Sequence, residues 1–288
     1  MIVRDLIGCM RVRQWTKNVL IFAALIFSNH ANQFPYVVKS FIAFVVFSLG
    51  AGAFYTFNDI LDLESDRKHP LKQQRPIASG RVSIKTGWIF FSVLGFLSLT
   101  LSFCFGSYFG LVILCYFLLQ VVYSLLLKKI VIVDVFAISF GFLLRVIAGA
   151  VAIDVYITNW ILICTMLLAL FLALSKRRHE IMLLNSNANY HRIILKEYSP
   201  YLLDQMIGVV TSATLVAYMI FTLSGETTAK FGNMVLTVPF VLYGIFRYLY
   251  LVHIKDKGGQ PEEILLTDIP LQVNVLLYGI VALAIIYF

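Results

Sequence analysis

The chemistry of this chain concentrates between Asn58 and Gly80, in the stretch NDILDLESDRKHPLKQQRPIASG. Four acids (Asp59, Asp62, Glu64 and Asp66) lie in it with Arg67, Lys68, Lys72 and Arg75, and Arg81 stands just past it. Asn58, Asp62 and Asp66 are spaced i, i+4, i+8; Asp59, Asp62 and Asp66 are spaced i, i+3, i+7. On a helix these share one face, and Glu64 points away. Three carboxylates on one face repel each other unless a cation sits among them. Oxygen ligands, with no Cys or paired His nearby, suit a hard ion, Mg²⁺ above all, which usually bridges on to substrate phosphates. The following Lys and Arg can hold further phosphate oxygens. The local reading is a Mg²⁺–diphosphate site; the bland one is a charge-mixed loop with fortuitous acid spacing.

The elements that must position these groups are membrane helices. The chain has 288 residues, 60% of them hydrophobic, and a mean hydropathy of +0.87. A soluble domain of this size could not hide so much apolar surface, so the expected fold is all-α: one polytopic membrane domain over 1–288. Apolar runs long enough to span a bilayer recur nine times, at 16–30, 36–57, 83–104, 107–127, 131–151, 158–175, 205–224, 233–252 and 270–287. The start, MIVRDLIGCM, carries an early acid and no apolar core of a cleaved signal. Cys9, Cys104, Cys115 and Cys164 are scattered and read as reduced packing residues.

The net charge of +8 reports topology rather than nucleic-acid binding. Of the 23 Lys and Arg, Lys39 and Lys230 fall in outer loops, Arg145 and Arg247 fall inside helices, and the other 19 lie at the N-terminus or after even-numbered spans. That asymmetry puts the polar chemistry on the cytoplasmic side. The two long polar loops, after spans two and six, hint at an internal duplication.

Other residues are candidates for anion contacts. In RVRQWTKN (Arg11 to Asn18), Trp15 and the basic residues suit interfacial anchoring, but Lys17 lies inside the first span and could hold a phosphate. Tyr55, on the face of Asn58, offers a hydroxyl to a ligand or sits in the aromatic belt. Lys128 and Lys129 mark the inner surface. Arg145 lies deep in span five, where an arginine needs an acid, an anion or a wet cavity. After span six, Lys176 and Arg177 could bind phosphate, Glu180 could be a further metal ligand or a helical partner of Lys176, and His179 reads as an interfacial histidine.

Asn58-Asp59-x-x-Asp62-x-x-x-Asp66 followed by Arg75-Pro76-Ile77-Ala78-Ser79-Gly80 resembles the first signature of the UbiA-type intramembrane prenyltransferase superfamily. That resemblance implies nine helices around a cavity open to the cytoplasm and Mg²⁺-assisted loss of diphosphate. Members that use prenyl diphosphates resemble one another in a second aspartate-rich motif, where this chain has Lys176-Arg177-Arg178-x-Glu180. This departure, with Arg13-Gln14-Trp15-x-Lys17-Asn18 and Gly259-x-Pro261-Glu262 leading to Asp268 and Leu271-Gln272, looks like the decaprenyl-phosphate phosphoribosyltransferase branch.

The branch implies a transfer from 5-phosphoribosyl 1-diphosphate (PRPP) to a polyprenyl phosphate at the bacterial cytoplasmic membrane. Asn58 and Asp62 would hold the metal, with Asp59, Asp62 and Asp66 as the catalytic acids. Lys17, Tyr55, Lys72, Lys128, Arg145, Lys176 and Arg177 would bind substrate. The partners are PRPP, the lipid phosphate and the bilayer; a homo-oligomer is compatible with this reading. Transfer of a polyprenyl group from its diphosphate to an aromatic acceptor is the alternative, and a non-catalytic lipid carrier is the alternative of a different class.

Overall fold

A computed structural model describes residues 2–68, 72–184, 193–255 and 261–287. Among them no strand occurs, as expected where a bilayer leaves each segment to satisfy its own backbone. The helices are α1 (Ile2–Cys9), α2 (Ala23–Phe27), α3 (Phe34–Leu61), α4 (Leu63–Lys68), α5 (Ile84–Phe105), α6 (Ser107–Leu125), α7 (Val133–Ala152), α8 (Asn159–Leu184), α9 (Pro200–Leu223), α10 (Gly225–Phe231), α11 (Val238–His253), α12 (Pro261–Thr267) and α13 (Ile269–Tyr287). Eight of these segments are long and apolar enough to cross a membrane.

Local chemistry sets the ends. Pro35 and Pro200 stand in the first turns of α3 and α9, where a missing N–H costs nothing. The Ser83 and Ser199 hydroxyls accept hydrogen bonds from the backbone N–H groups of Thr86 and Leu202. Helix α3 is the axis of the first half: it packs on α5, α6, α7 and the segment before α2. Its Gly50-Ala51-Gly52-Ala53 run permits that approach, since a Cβ at Gly50 would lie 2.7 Å from the Phe117 ring. Helices α8, α9, α11 and α13 form the second half, joined to the first where α7 meets α8, and α12 returns to touch the N-terminal segment.

The sequence expectation needs correction in two places. The run at 16–30 is not one membrane helix: residues Val12–Phe22 form a 3₁₀ helix, which passes into the short α2. Eleven residues is long for 3₁₀ geometry. The segment is pressed onto α7 so closely that a Cβ at Gly149 would sit 2.0 Å from the carbonyl oxygen of Ile21. Buried Asn18 is drawn inward by α3 and α7, as described below. The second correction concerns the sixth span, expected to end at residue 175: α8 runs on to Leu184. Lys176, Arg177, Arg178 and Glu180 are therefore helical residues, not loop residues. Partners on other helices compensate their charge, so hydropathy alone stops the helix too early.

Candidate functional site

Helix α3 ends at Leu61, but helical hydrogen bonding continues across the junction into α4. Asp62 N–H donates to the Asn58 carbonyl (2.9 Å) and Asp66 N–H to the Asp62 carbonyl (2.8 Å). The acids therefore keep the common face expected of their spacing, and Glu64 is turned outward beside Arg67. Asp59 and Asp66 are buried; Asn58 and Asp62 are half-buried.

Basic residues from three separate parts of the chain converge on this face. Arg75 Nη1 donates to Asp59 Oδ1 (3.1 Å) and Asp66 Oδ2 (2.5 Å), bridging the two acids. Arg11 also donates to Asp59 Oδ1, with its guanidinium over the Tyr55 ring. Lys128 Nζ donates to Asp62 Oδ1 at 2.8 Å, and the Ser124 hydroxyl donates to Asn58 Oδ1 at 2.6 Å. Burial, with Arg11 beside it, lowers the Arg75 pKa against the pull of Asp59 and Asp66. The turn that carries Arg75 is closed by Ser79 N–H to the Arg75 carbonyl and Val82 N–H to the Pro76 carbonyl. Its Gly80 has φ +78, a conformation that disfavours any side chain.

The donor set suits a hard divalent cation in chemistry: one amide oxygen and three carboxylates with no sulfur among them. One oxygen, Asp59 Oδ2, is buried without a hydrogen-bond partner, an unspent acceptor inside a cationic surround. The carboxylates are occupied by Arg11, Arg75 and Lys128, and among the described residues no three His, Cys, Asp or Glu are grouped as a ready metal cage.

The remaining sequence candidates fall into separate places. Lys17 is half-buried on the 3₁₀ segment, 3.4 Å from Gln14 Oε1. Lys72 opens the short turn Lys72–Gln74, whose carbonyl at Lys72 accepts from Arg75 N–H. Among the described residues Arg145 is enclosed without a carboxylate: Nε donates to Asn18 Oδ1 (2.7 Å), Nη1 to the Gly141 carbonyl (2.6 Å) and Nη2 to the Tyr116 hydroxyl (3.3 Å). Phe47, Tyr116 and Phe142 line its guanidinium, and Asn18 goes on to Ser48 (2.9 Å). Arg145 thus joins α7, α3 and the 3₁₀ segment.

Arg177 is 2% exposed; Nε donates to Asp134 Oδ2 (2.8 Å) and Nη1 to Glu180 Oε2 (2.6 Å). Tyr198 completes the shell of Asp134, donating to Oδ1 at 2.9 Å. Burial pushes the Tyr198 phenol up to about 12, so it remains a donor at neutral pH. Arg178 pairs with Asp204 (2.5 Å), which His253 also approaches (3.2 Å). Lys176 and Glu180 are half-buried on the same turn. Arg247, the other arginine inside a span, pairs with Asp268 at 2.8 Å. Gly259 of the late motif lies outside the described residues.

Sequence reasoning includes Arg75 only within the Lys and Arg run that could hold phosphate oxygens, and gives Arg11 no site role. Arg75 carried a signal, because it opens the Arg-Pro-Ile-Ala-Ser-Gly turn. Arg11 carried little, since it meets Asp59 across 48 positions.

The UbiA prenyltransferase family model matches residues 19–265. The decaprenyl-phosphate phosphoribosyltransferase of Corynebacterium glutamicum is 34% identical over 277 residues, covering 93% of this chain and 82% of that protein. The enzyme of the same name from Mycolicibacterium smegmatis is 33% identical over 290 residues, covering 94% and 89%. A UbiA homologue from Archaeoglobus fulgidus, solved bound to GPP and Mg²⁺, superposes with a TM-score of 0.74 over 99% of this chain and 100% of that one, at 16% identity.

Proposed function

The chain belongs to the UbiA prenyltransferase family, as an integral-membrane transferase, and we propose that it moves 5-phosphoribose from PRPP to a polyprenyl phosphate. The reaction would release diphosphate on the cytoplasmic side of a bacterial cytoplasmic membrane. What carries the reading is the single acid face of Asn58, Asp59, Asp62 and Asp66, ringed by Arg11, Arg75 and Lys128. Sequence identity of 33–34% to decaprenyl-phosphate phosphoribosyltransferases supports the choice of donor.

The chemistry asks for little beyond charge and position. The bond from ribose C1 to the diphosphate oxygen breaks, the electron pair leaves with the diphosphate, and a lipid phosphate oxygen bonds to C1. Mg²⁺, with Asn58 and Asp62 as ligands and Asp59 and Asp66 around it, would supply charge neutralisation at the departing diphosphate. Arg75, Arg11 and Lys128 already lie on the same carboxylates and can turn to phosphate oxygens as donors. The lipid phosphate is an anion before it reacts, so no strong general base is needed. Orientation and charge screening are the larger contributions. Lys17, Lys72 and Lys176 are the further phosphate contacts, and apolar helices shelter the lipid tail.

Purified protein in detergent, given Mg²⁺, labelled PRPP and polyprenyl phosphate, should convert label into a lipid-extractable product with one diphosphate per transfer. Conversion should stop with chelator and return with Mg²⁺ or Mn²⁺. Release of diphosphate without a labelled lipid would exclude the proposed acceptor.

A further inference from the structure

The connection between α6 and α7 holds a backbone conformation that its sequence disfavours. Ile132 has φ 69 and ψ −44. Val133 N–H donates to the Val131 carbonyl at 2.8 Å, so Ile132 is the centre of a three-residue γ-turn with positive φ. That turn is rare and strained, and a β-branched residue is poorly suited to it. The strain is not explained by packing of the side chain, which is 41% exposed. Strain of this kind persists only where the surroundings over-determine it.

The surroundings that do so are specific. Ile132 N–H donates to the Tyr198 hydroxyl at 2.7 Å, and the same hydroxyl donates to Asp134 Oδ1 at 2.9 Å. Asp134 is fully buried and held from its other oxygen by Arg177. The opposing hydrogen bonds are of the same order as the cost of the turn. Four residues before Ile132 stands Lys128, whose ammonium reaches Asp62 on the acid face. The turn therefore links two charged clusters, one at the inner end of α3, the other between α7 and α8.

We propose that Tyr198, backed by Asp134 and Arg177, is a positioning residue: it holds the strained turn at Ile132 that keeps Lys128 on Asp62. This rests on the reading of the Asp62–Lys128 face as a diphosphate site. Without the Tyr198 hydroxyl the turn relaxes, and Lys128 loses its place. Glycine at position 132 would hold the same turn without strain, so it should make Tyr198 dispensable.

The test is binding of magnesium diphosphate, without any sugar donor, to the full chain in detergent by calorimetry. Tyr198→Phe should weaken binding about tenfold, the loss of roughly one charge-assisted hydrogen bond. Adding Ile132→Gly to Tyr198→Phe should recover most of that loss, which a purely structural tyrosine would not permit. In a Lys128→Ala background, Tyr198→Phe should have almost no further effect. Wild-type affinity in Tyr198→Phe overturns the proposal. So does an equal loss that Ile132→Gly fails to rescue, or one that adds fully to Lys128→Ala. No binding of the probe by the wild type overturns it as well. The expected binding pattern in a protein that transfers nothing from PRPP would sink the proposed donor and leave the positioning role standing.

Discussion

Two charged regions of the helical assembly are built from equal numbers of opposite charges. At the end of α3, Asp59, Asp62 and Asp66 meet Arg11, Arg75 and Lys128. At the end of α8, Arg177, Arg178 and their neighbour Lys176 stand among Asp134, Glu180 and Asp204. Charge balance does not separate them; burial and satisfaction do. The Arg177 and Asp134 side chains are 2% and 0% exposed, and Tyr198 fills the remaining acceptor site. The Asp62 and Lys128 side chains are 29% and 16% exposed, and buried Asp59 keeps an oxygen with no hydrogen bond. In the first region the partly exposed Lys128 can leave Asp62 for a ligand at small cost, whereas Arg11 and Arg75 rest on the buried Asp59. The second is closed, since Arg177 can reach a substrate phosphate only by leaving a buried carboxylate.

Substitutions should drive the two regions in opposite directions. The largest effect belongs to Asp62→Asn. Turnover should fall by roughly a thousandfold or more, the several kcal/mol that metal charge stabilisation supplies, while the melting temperature stays near wild type. Asp59→Asn should lose turnover as well, with a loss of stability, because buried Asp59 holds both Arg11 and Arg75. Full activity of both variants in excess chelator would remove the acid face from the reaction.

Arg177→Ala should do the reverse. Leaving Asp134 buried without its cation should cost about 3–5 kcal/mol of stability. Replacing the pair together, Arg177→Met with Asp134→Leu, should recover most of it, read by thermal unfolding in detergent. If Arg177→Ala melts like wild type but loses PRPP affinity, the region is not a closed joint.

Lys176→Ala sharpens the contrast within one helical turn. It should weaken PRPP use by about 1.5–3 kcal/mol, the range for a charge-assisted hydrogen bond, with stability nearly unchanged. Unaltered KM for PRPP would show that the α8 end holds no phosphate. Gly149→Ala gives the smallest effect. A methyl group 2.0 Å from the Ile21 carbonyl must push the 3₁₀ segment off α7. That should cost roughly 1–3 kcal/mol and move Lys17 and Arg11 with it. An unchanged melting curve would mean the segment is not seated there.

Much of this was legible in the chain, and what was not has physical reasons. The acid face follows from a 3.6-residue period, and eight of nine apolar runs became helices within a few residues at most ends. The first run did not, because Asn18 and Gly149 act only through contacts with Arg145 and Ile21 that hydropathy does not register. The basic cluster at Lys176–Glu180 reads as surplus positive charge in sequence; Asp134 and Asp204, 43 and 26 positions away from their partners, cancel much of it. Arg145 was correctly flagged as costly, but its relief comes from an amide, a carbonyl, a phenol and aromatic faces, a combination no spacing encodes.

The central claim is the donor, and it is best tested by offering the wild-type protein two reactions side by side. One contains Mg²⁺, PRPP and polyprenyl phosphate; the other contains Mg²⁺, a polyprenyl diphosphate and an aromatic acid. A single acid face for diphosphate, with Lys176 beside the closed Arg177 joint to meet the 5-phosphate, predicts lipid-linked phosphoribose in the first and no product in the second. Product only in the second would contradict it and make the chain a prenyltransferase in the strict sense.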